Sequence, residues 1–121
     1  MKKMIIASTS AVYGSDYLAY LMPTLKTHFK GVAELLFIPY ARPGGVSYDE
    51  YTAIVKDAFS KMDVNVRGIH EFKNPKKAIK ESGAIFVGGG NTFELVNQIY
   101  KNDILITLKS AIDSGIPYLG T

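Results

Sequence analysis

The chain has 121 residues, 47% of them hydrophobic and 21% charged, with 14 Lys and Arg against 11 Asp and Glu for a formal net charge of +3. That length supports one domain with one real core, and the composition excludes a disordered chain. The absence of cysteine excludes disulfides, thiolate metal sites and a cysteine nucleophile within these residues, and it fits a reducing compartment.

The chain begins with two lysines and the apolar run Met4–Ala7, which Ser8, Thr9 and Ser10 interrupt. A secretory signal needs an apolar core of about 7–15 residues, so this run reads as a buried first strand instead. No stretch approaches the roughly 18 apolar residues of a membrane span. The expectation is a cytoplasmic, soluble protein with neither membrane nor nucleic acid as partner.

Ser15 or Asp16 is placed to cap a helix with apolar positions Leu18, Leu21, Met22, Leu25 and Phe29. Pro23 lies inside that pattern as a candidate kink, and Gly31 ends it. Leu35–Ile38 form a second strand closed by Pro39. Ser47 and Glu50 have capping-box spacing for a helix that buries Tyr51, Ile54, Val55, Ala58 and Phe59. A third strand runs from Val64 to Ile69, with His70 at its end. Pro75 opens a short helix in its first turn. Lys73, Lys76, Lys77 and Lys80 form the one dense basic group. With no aromatic residues between them to stack bases, they read as a solvated helix face. Ala84–Val87 form a fourth strand that runs into Gly88, Gly89 and Gly90. A helix follows from Asn91. Asp103 is placed to cap a further helix carrying Ile104, Leu105, Leu108 and Ile112. Ile116–Leu119 form a last strand, followed by Gly120 and Thr121.

Short apolar strands alternating with helices imply a parallel sheet covered on both faces, an α/β three-layer sandwich. Residues 1–121 are expected to form one such domain. In open parallel sheets the chemistry sits beyond the carboxyl ends of the strands, which selects the segments after each strand. The glycine run is the most informative. Three glycines permit a sharp turn and close approach of a ligand to backbone N–H groups, and the helix that follows adds exposed donors and a positive dipole end. The run suits a phosphate, a carboxylate or the oxyanion of acyl transfer, and equally a bare tight turn in which Asn91 or Thr92 only caps the helix. Neither the dinucleotide fingerprint nor the Walker phosphate loop is present. His28 and His70 lie 42 positions apart without a carboxylate cluster in the sequence around them, which gives no case for a metal. The abundant tyrosines of the first half, Tyr13, Tyr17, Tyr20, Tyr40, Tyr48 and Tyr51, read as packing residues with their hydroxyls outward, and Tyr40 and Tyr48 flank the loop after the second strand, placed to line a pocket.

Several ordered segments, "STSAVYGSDYL", "FIPYA" followed by "YDEYT", "VNVRGIHEF", "AIFVGGGNTFELV" and "GIPYLGT", together resemble the amino-terminal half of peptidase E, the α-aspartyl dipeptidase family. The resemblance implies a fold like the class I glutamine amidotransferases, with flavodoxin-like strand order. It implies a serine peptidase, without cofactor, that cleaves small peptides bearing amino-terminal aspartate. Gly120 and Thr121 match the opening of a Gly-x-Ser-Ala-Gly nucleophile elbow whose serine would follow Thr121. The resemblance places oxyanion donors at the Gly89, Gly90 and Asn91 backbone, and a substrate-pocket rim at Ser8, Tyr40, His70 and Thr92. It leaves the nucleophile, its histidine and the acidic partner outside residues 1–121. A Ser-His-Asp mechanism needs both nucleophile and base. The expectation is therefore a truncated amino-terminal part of a longer peptidase domain, inactive alone, that associates with itself or with a carboxyl-terminal fragment. The alternative from the glycine run is a small non-enzymatic module that binds an anion or a nucleotide.

Overall fold

A computed structural model of the chain describes residues 3–6 and 22–120. Its strands are β1 (Lys3–Ile6), β2 (Glu34–Ile38), β3 (Asn65–Gly68), β4 (Ile85–Val87) and β5 (Pro117–Gly120). They form one sheet, parallel at every pairing, in the order β1-β5-β4-β2-β3. Its α-helices are α1 (Met22–His28), α2 (Tyr48–Phe59), α3 (Pro75–Lys80), α4 (Thr92–Lys101) and α5 (Leu105–Asp113).

Side chains alternate across a strand with period two, and here the alternation feeds two separate cores. Leu35, Phe37, Val66, Phe86 and Leu119 face α1 and α2, where they meet Leu25, Phe29, Tyr51, Val55 and Phe59. Leu36, Ile38, Ile85 and Val87 face the opposite layer and meet Ala78 and Ile79 of α3 and Leu108 and Ala111 of α5. Burial of the central strands on both faces explains why they read as unbroken apolar runs, whereas Met4 of β1, expected to be buried, is 44% exposed at the sheet edge. The expected three-layer α/β architecture is present.

The flavodoxin-like order holds for β2 to β5, whose spatial order β3-β2-β4-β5 is the 2-1-3-4 pattern of that class. The first strand differs. β1 joins outside β5, with Lys3 opposite Pro117 and Ile6 opposite Gly120. As a result β5 is an interior strand, as its apolar sequence requires.

Local signals set most of the boundaries. The Ser47 side chain accepts from the Glu50 N–H at 3.0 Å, and Glu50 accepts from the Ser47 N–H at 3.3 Å, completing the expected capping box of α2. In α2, Ile54 is half-buried and Thr52 is buried; Thr52 donates to the Tyr48 carbonyl at 2.7 Å, which satisfies its hydroxyl. Pro23 is the second described residue of α1. β3 stops at Gly68, and Ile69–Glu71 form a 3-10 turn because the Glu71 carboxylate takes the Gly68 N–H at 2.7 Å. Asp103 does not cap α5. It adopts φ 54, and its carboxylate meets Lys76 at 2.8 Å, while α5 begins without a side-chain cap and leaves Leu105 exposed. The expected cap at Ser15 or Asp16, the helix positions Leu18 and Leu21, the rim residue Ser8, the tyrosines Tyr13, Tyr17 and Tyr20, and Thr121 lie outside the described residues. Among the described residues no helix is long and apolar enough to cross a membrane.

Candidate functional site

The register brings the strand ends to one line. Ile38 of β2 is opposite Val87 of β4, Val87 is opposite Gly120 of β5, and Gly120 is opposite Ile6 of β1. Neighbouring parallel strands lie about 4.8 Å apart. The glycine run therefore leaves β4 directly beside the end of β5, and the elbow glycine expected from the sequence stands next to it.

The run is held from three sides. Gly88 is buried, its N–H donates to the Ile38 carbonyl at 3.2 Å, and a Cβ there would stand 2.3 Å from Tyr51 Oη and 2.9 Å from Phe37 Cε1. Only glycine lets the loop press so closely on α2. The Tyr51 hydroxyl donates to the Gly89 carbonyl at 3.0 Å. The Asn91 N–H donates to the Ala41 carbonyl at 2.7 Å. Gly90, between these anchors, has φ 146, a value that favours glycine. Asn91 is the N-cap of α4, its side-chain oxygen accepting from the Glu94 N–H at 3.0 Å.

These bonds refine the three expected oxyanion donors. The Asn91 N–H is already committed to Ala41, so Asn91 serves the loop as anchor and cap. Gly90 is exposed, and among the described residues its N–H has no hydrogen-bond acceptor. Thr92, the first residue of α4, is exposed at the rim.

The other rim residues stand further off. Tyr40 is only 3% exposed and packs in the second core against Tyr48, ring centroids 5.6 Å apart. It supports the rim from below instead of lining it. Burial, reinforced by neighbouring Tyr48, pushes the Tyr40 hydroxyl up to about 12. Tyr48 is also raised, first by burial and then by the Glu94 carboxylate, against the lowering effect of Arg42. His70 follows β3, separated from β4 by β2, so it is two strand spacings from the run. Its ring lies tilted against Tyr48, centroids 5.5 Å apart, and its Nε2 meets Asp49 Oδ1 at 2.7 Å. Nδ1 of the same ring is buried without a partner. The carboxylate that pairs with His70 comes from the first turn of α2, 21 positions away, and not from the neighbouring Glu71. His28, by contrast, simply meets the Tyr118 carbonyl at 3.0 Å.

Arg42, Tyr51, Asp49 and Glu94 were not singled out as functional residues from sequence. Arg42 has φ 41 and clamps its own loop, with Nε on the Val46 carbonyl at 2.8 Å and one terminal nitrogen on the Gly45 carbonyl at 3.1 Å. Its other terminal nitrogen reaches Glu94 Oε1 in the first turn of α4 at 3.1 Å. The loop after β2 and the start of α4 are joined by that ion pair. The pair spans 52 positions of sequence, and no local pattern announces it.

The fold and this rim define a parallel α/β protein with a glycine-built donor loop beside a central strand end. Residues 4–121 match peptidase family S51. A peptidase E of Shewanella amazonensis is 35% identical over 120 residues, covering 98% of this chain and 50% of the relative. One from Shewanella baltica is 36% identical over 116 residues, covering 96% and 48% respectively. The solved structure of a peptidase from an acI-B1 Actinobacterium superposes with TM-score 0.73 at 16% identity, covering 99% of this chain and 54% of the other. That likeness speaks to the fold alone. The chain belongs to peptidase family S51, and it spans about half the length of the curated relatives it matches.

Proposed function

We propose that residues 1–121 are the amino-terminal part of a longer serine-type peptidase domain that hydrolyses dipeptides with amino-terminal aspartate. In this reading they supply the oxyanion side of the site and the strand leading to the nucleophile. The observation that carries the reading is the pairing of Val87 with Gly120. Continuing that register by two positions would set the residue after Thr121 level with Gly89, within reach of the donor loop. A serine there would attack the scissile carbonyl, and the Gly90 N–H would meet the negative charge that develops on its oxygen. Gly89 and Asn91 hold that donor in place. The base and its acidic partner would come from chain beyond Thr121, and the reaction needs no cofactor. Donors alone retain only about 10³–10⁴-fold of catalysis over water, so residues 1–121 by themselves should show no ordinary turnover.

The test is hydrolysis of aspartyl dipeptides by a polypeptide that continues beyond Thr121 with the serine, by residues 1–121 alone, and by residues 1–121 mixed with the carboxyl-terminal fragment. Cleavage by the longer polypeptide and by the mixture, and none by residues 1–121, is expected. Family-like turnover by residues 1–121 alone, or a longer polypeptide that ignores aspartyl dipeptides, would overturn the reading.

A second reading concerns residues 1–121 in isolation. Phe93 is 90% exposed, Tyr100 66% and Ile106 80%. Apolar surface of this kind favours association. Sedimentation should show a concentration-dependent oligomer, and a clean monomer over a wide range would refute it.

A further inference from the structure

The glycine run presents its open donor through a mechanical device on α2, whose Tyr51 presses on Gly88 and bonds Gly89. The geometry points to Tyr51 as the positioning residue of the Gly90 N–H, an inference that rests on the oxyanion role proposed above. The Gly89 carbonyl and the Gly90 N–H belong to one peptide unit. That unit is planar, and the chain contains no cis peptide among the described residues, so its C=O and N–H point in opposite directions. The Tyr51 hydroxyl holds the carbonyl at 3.0 Å. It thereby aims the N–H away from α2. The next peptide unit is fixed from its other end, by the Asn91 N–H on the Ala41 carbonyl at 2.7 Å. Gly90 is thus braced on both sides at a φ of 146 that leaves its N–H without an acceptor among the described residues.

Tyr51 is itself well fixed. It is 2% exposed, and its ring meets Phe37 edge to face, centroids 4.8 Å apart at 89°. The ring cannot retreat without disturbing the core, so the position of its hydroxyl is inherited from the packing of α2 on the sheet. A donor aimed before the reaction needs no reorganisation when charge develops, which is the source of its effect. Without the Tyr51 hydroxyl the Gly89–Gly90 unit keeps its neighbours but loses the bond that fixes its rotation. Gly90 then samples orientations that turn the N–H away from the substrate oxygen.

Tyr51→Phe tests this, because it keeps the ring and its packing and removes only the hydroxyl. In residues 1–121 the Gly89 carbonyl carbon and Gly90 amide resonances should shift in Tyr51→Phe, while those of Val55 and Phe86 stay. In a polypeptide that continues through the nucleophile, kcat should fall about tenfold, a fraction of the 10²–10³ that loss of a whole donor costs. KM should remain within about twofold. Thr52→Val, which removes a neighbouring hydroxyl of α2 that does not touch the run, should move neither reading. Unchanged Gly90 resonances in Tyr51→Phe would overturn the inference, and so would an unchanged kcat in an active longer enzyme. If the longer unmodified polypeptide cleaves no peptide, the proposed function fails instead, and the Gly90 resonances still decide what Tyr51 does.

Discussion

Helices α2 and α4 both touch the glycine run, and they do so in opposite ways. α2 buries Tyr51, Thr52, Val55, Ala58 and Phe59 and reaches the run with a side chain from its second turn. α4 has no fully buried residue, grows directly out of the run, and touches it through its cap, Asn91. Leu95 and Ile99 of α4 only lean on the second core, while Phe93, Val96 and Tyr100 point outward. Both helices carry a good side-chain cap, so capping is not what separates them. The difference is burial. A helix fixed by a core can hold a loop in one geometry, whereas a helix fixed mainly by its ends follows the loop.

The largest effect should come from breaking the α2 contact with the run. In Gly88→Ala the new methyl would stand 2.3 Å from Tyr51 Oη and 2.7 Å from Tyr51 Cζ. Tyr51 is buried and backed by Phe37, so neither can yield cheaply. A loss of about 3 kcal/mol is expected by denaturant titration, at the upper end of overpacking costs. Gly68→Ala sharpens the point. Its methyl would meet His70 Cε1 at 2.3 Å and Nδ1 at 2.5 Å. That imidazole lies near the surface, 18% exposed, and can swing away by giving up Asp49. A loss near 1 kcal/mol is expected there, also within the overpacking range. Equal losses at the two glycines would show that burial of the neighbour does not decide the cost.

The approach to α2 should also reveal itself in alkali. The Tyr40 hydroxyl is raised to about 12 by burial and then by Tyr48, against an ordinary value near 10. The folded state therefore holds that proton more tightly than the unfolded state does. Its contribution to stability is complete below about pH 10 and is lost as pH rises toward 12. Tyr40→Phe should flatten the fall in stability between those values, by about 2 kcal/mol at the alkaline end. The same pH dependence with Phe at position 40 would remove Tyr40 as its source.

Much of this contrast was legible in the sequence, and the reasons it was incomplete are physical. The capping box at Ser47 and Glu50, the α2 core positions Tyr51, Val55, Ala58 and Phe59, and the glycine turn before Asn91 are local signals, and each stands where expected. Whatever depends on a partner distant in sequence was hidden. The Tyr51 hydroxyl reads from sequence as pointing outward from a packed ring, whereas it bonds the Gly89 carbonyl, an acceptor 38 positions away. His70 read as solitary because Asp49 approaches from the first turn of α2, 21 positions away. Asp103 read as a cap because its spacing allows one, yet an ion pair with Lys76 and a left-handed backbone hold it elsewhere. The position of β1 was not legible either, since the element order does not say on which side of the sheet the first strand lands.

Removing the caps tests whether burial separates the two helices. Ser47→Ala and Asn91→Ala each delete a side-chain acceptor for an N3 backbone N–H, a change of about 1 kcal/mol. In α2 that loss should appear in global unfolding, because the helix cannot open without exposing Tyr51, Val55 and Phe59. In α4 it should appear instead as faster local hydrogen exchange across Thr92–Lys101, with little change in the global transition, because opening this helix uncovers no fully buried side chain. The two outcomes at one energetic cost would make burial the deciding variable. Identical global losses would mean that α4 is coupled to the core through Leu95 and Ile99 as tightly as α2 is through its five buried residues.

The smallest effect is expected on the outer face of α4. Phe93, Val96 and Tyr100 recur at three- and four-residue spacing, so they form one stripe along the helix. Their exposure means that a polar replacement removes little native burial, and Tyr100→Ser should change stability by no more than about 0.5 kcal/mol. The same replacement should lower self-association of residues 1–121 in sedimentation if this stripe is the sticky surface. Polar residues placed at the buried positions of α2 would have the reverse signature, a large stability loss from exposing a broken core. A Tyr100→Ser variant that unfolds easily would mean that the stripe is covered in solution and that α4 is less like a follower of its loop than its burial implies. A stable variant with reduced association would establish that the two helices flanking the glycine run divide the work, one holding the donor and the other offering a surface.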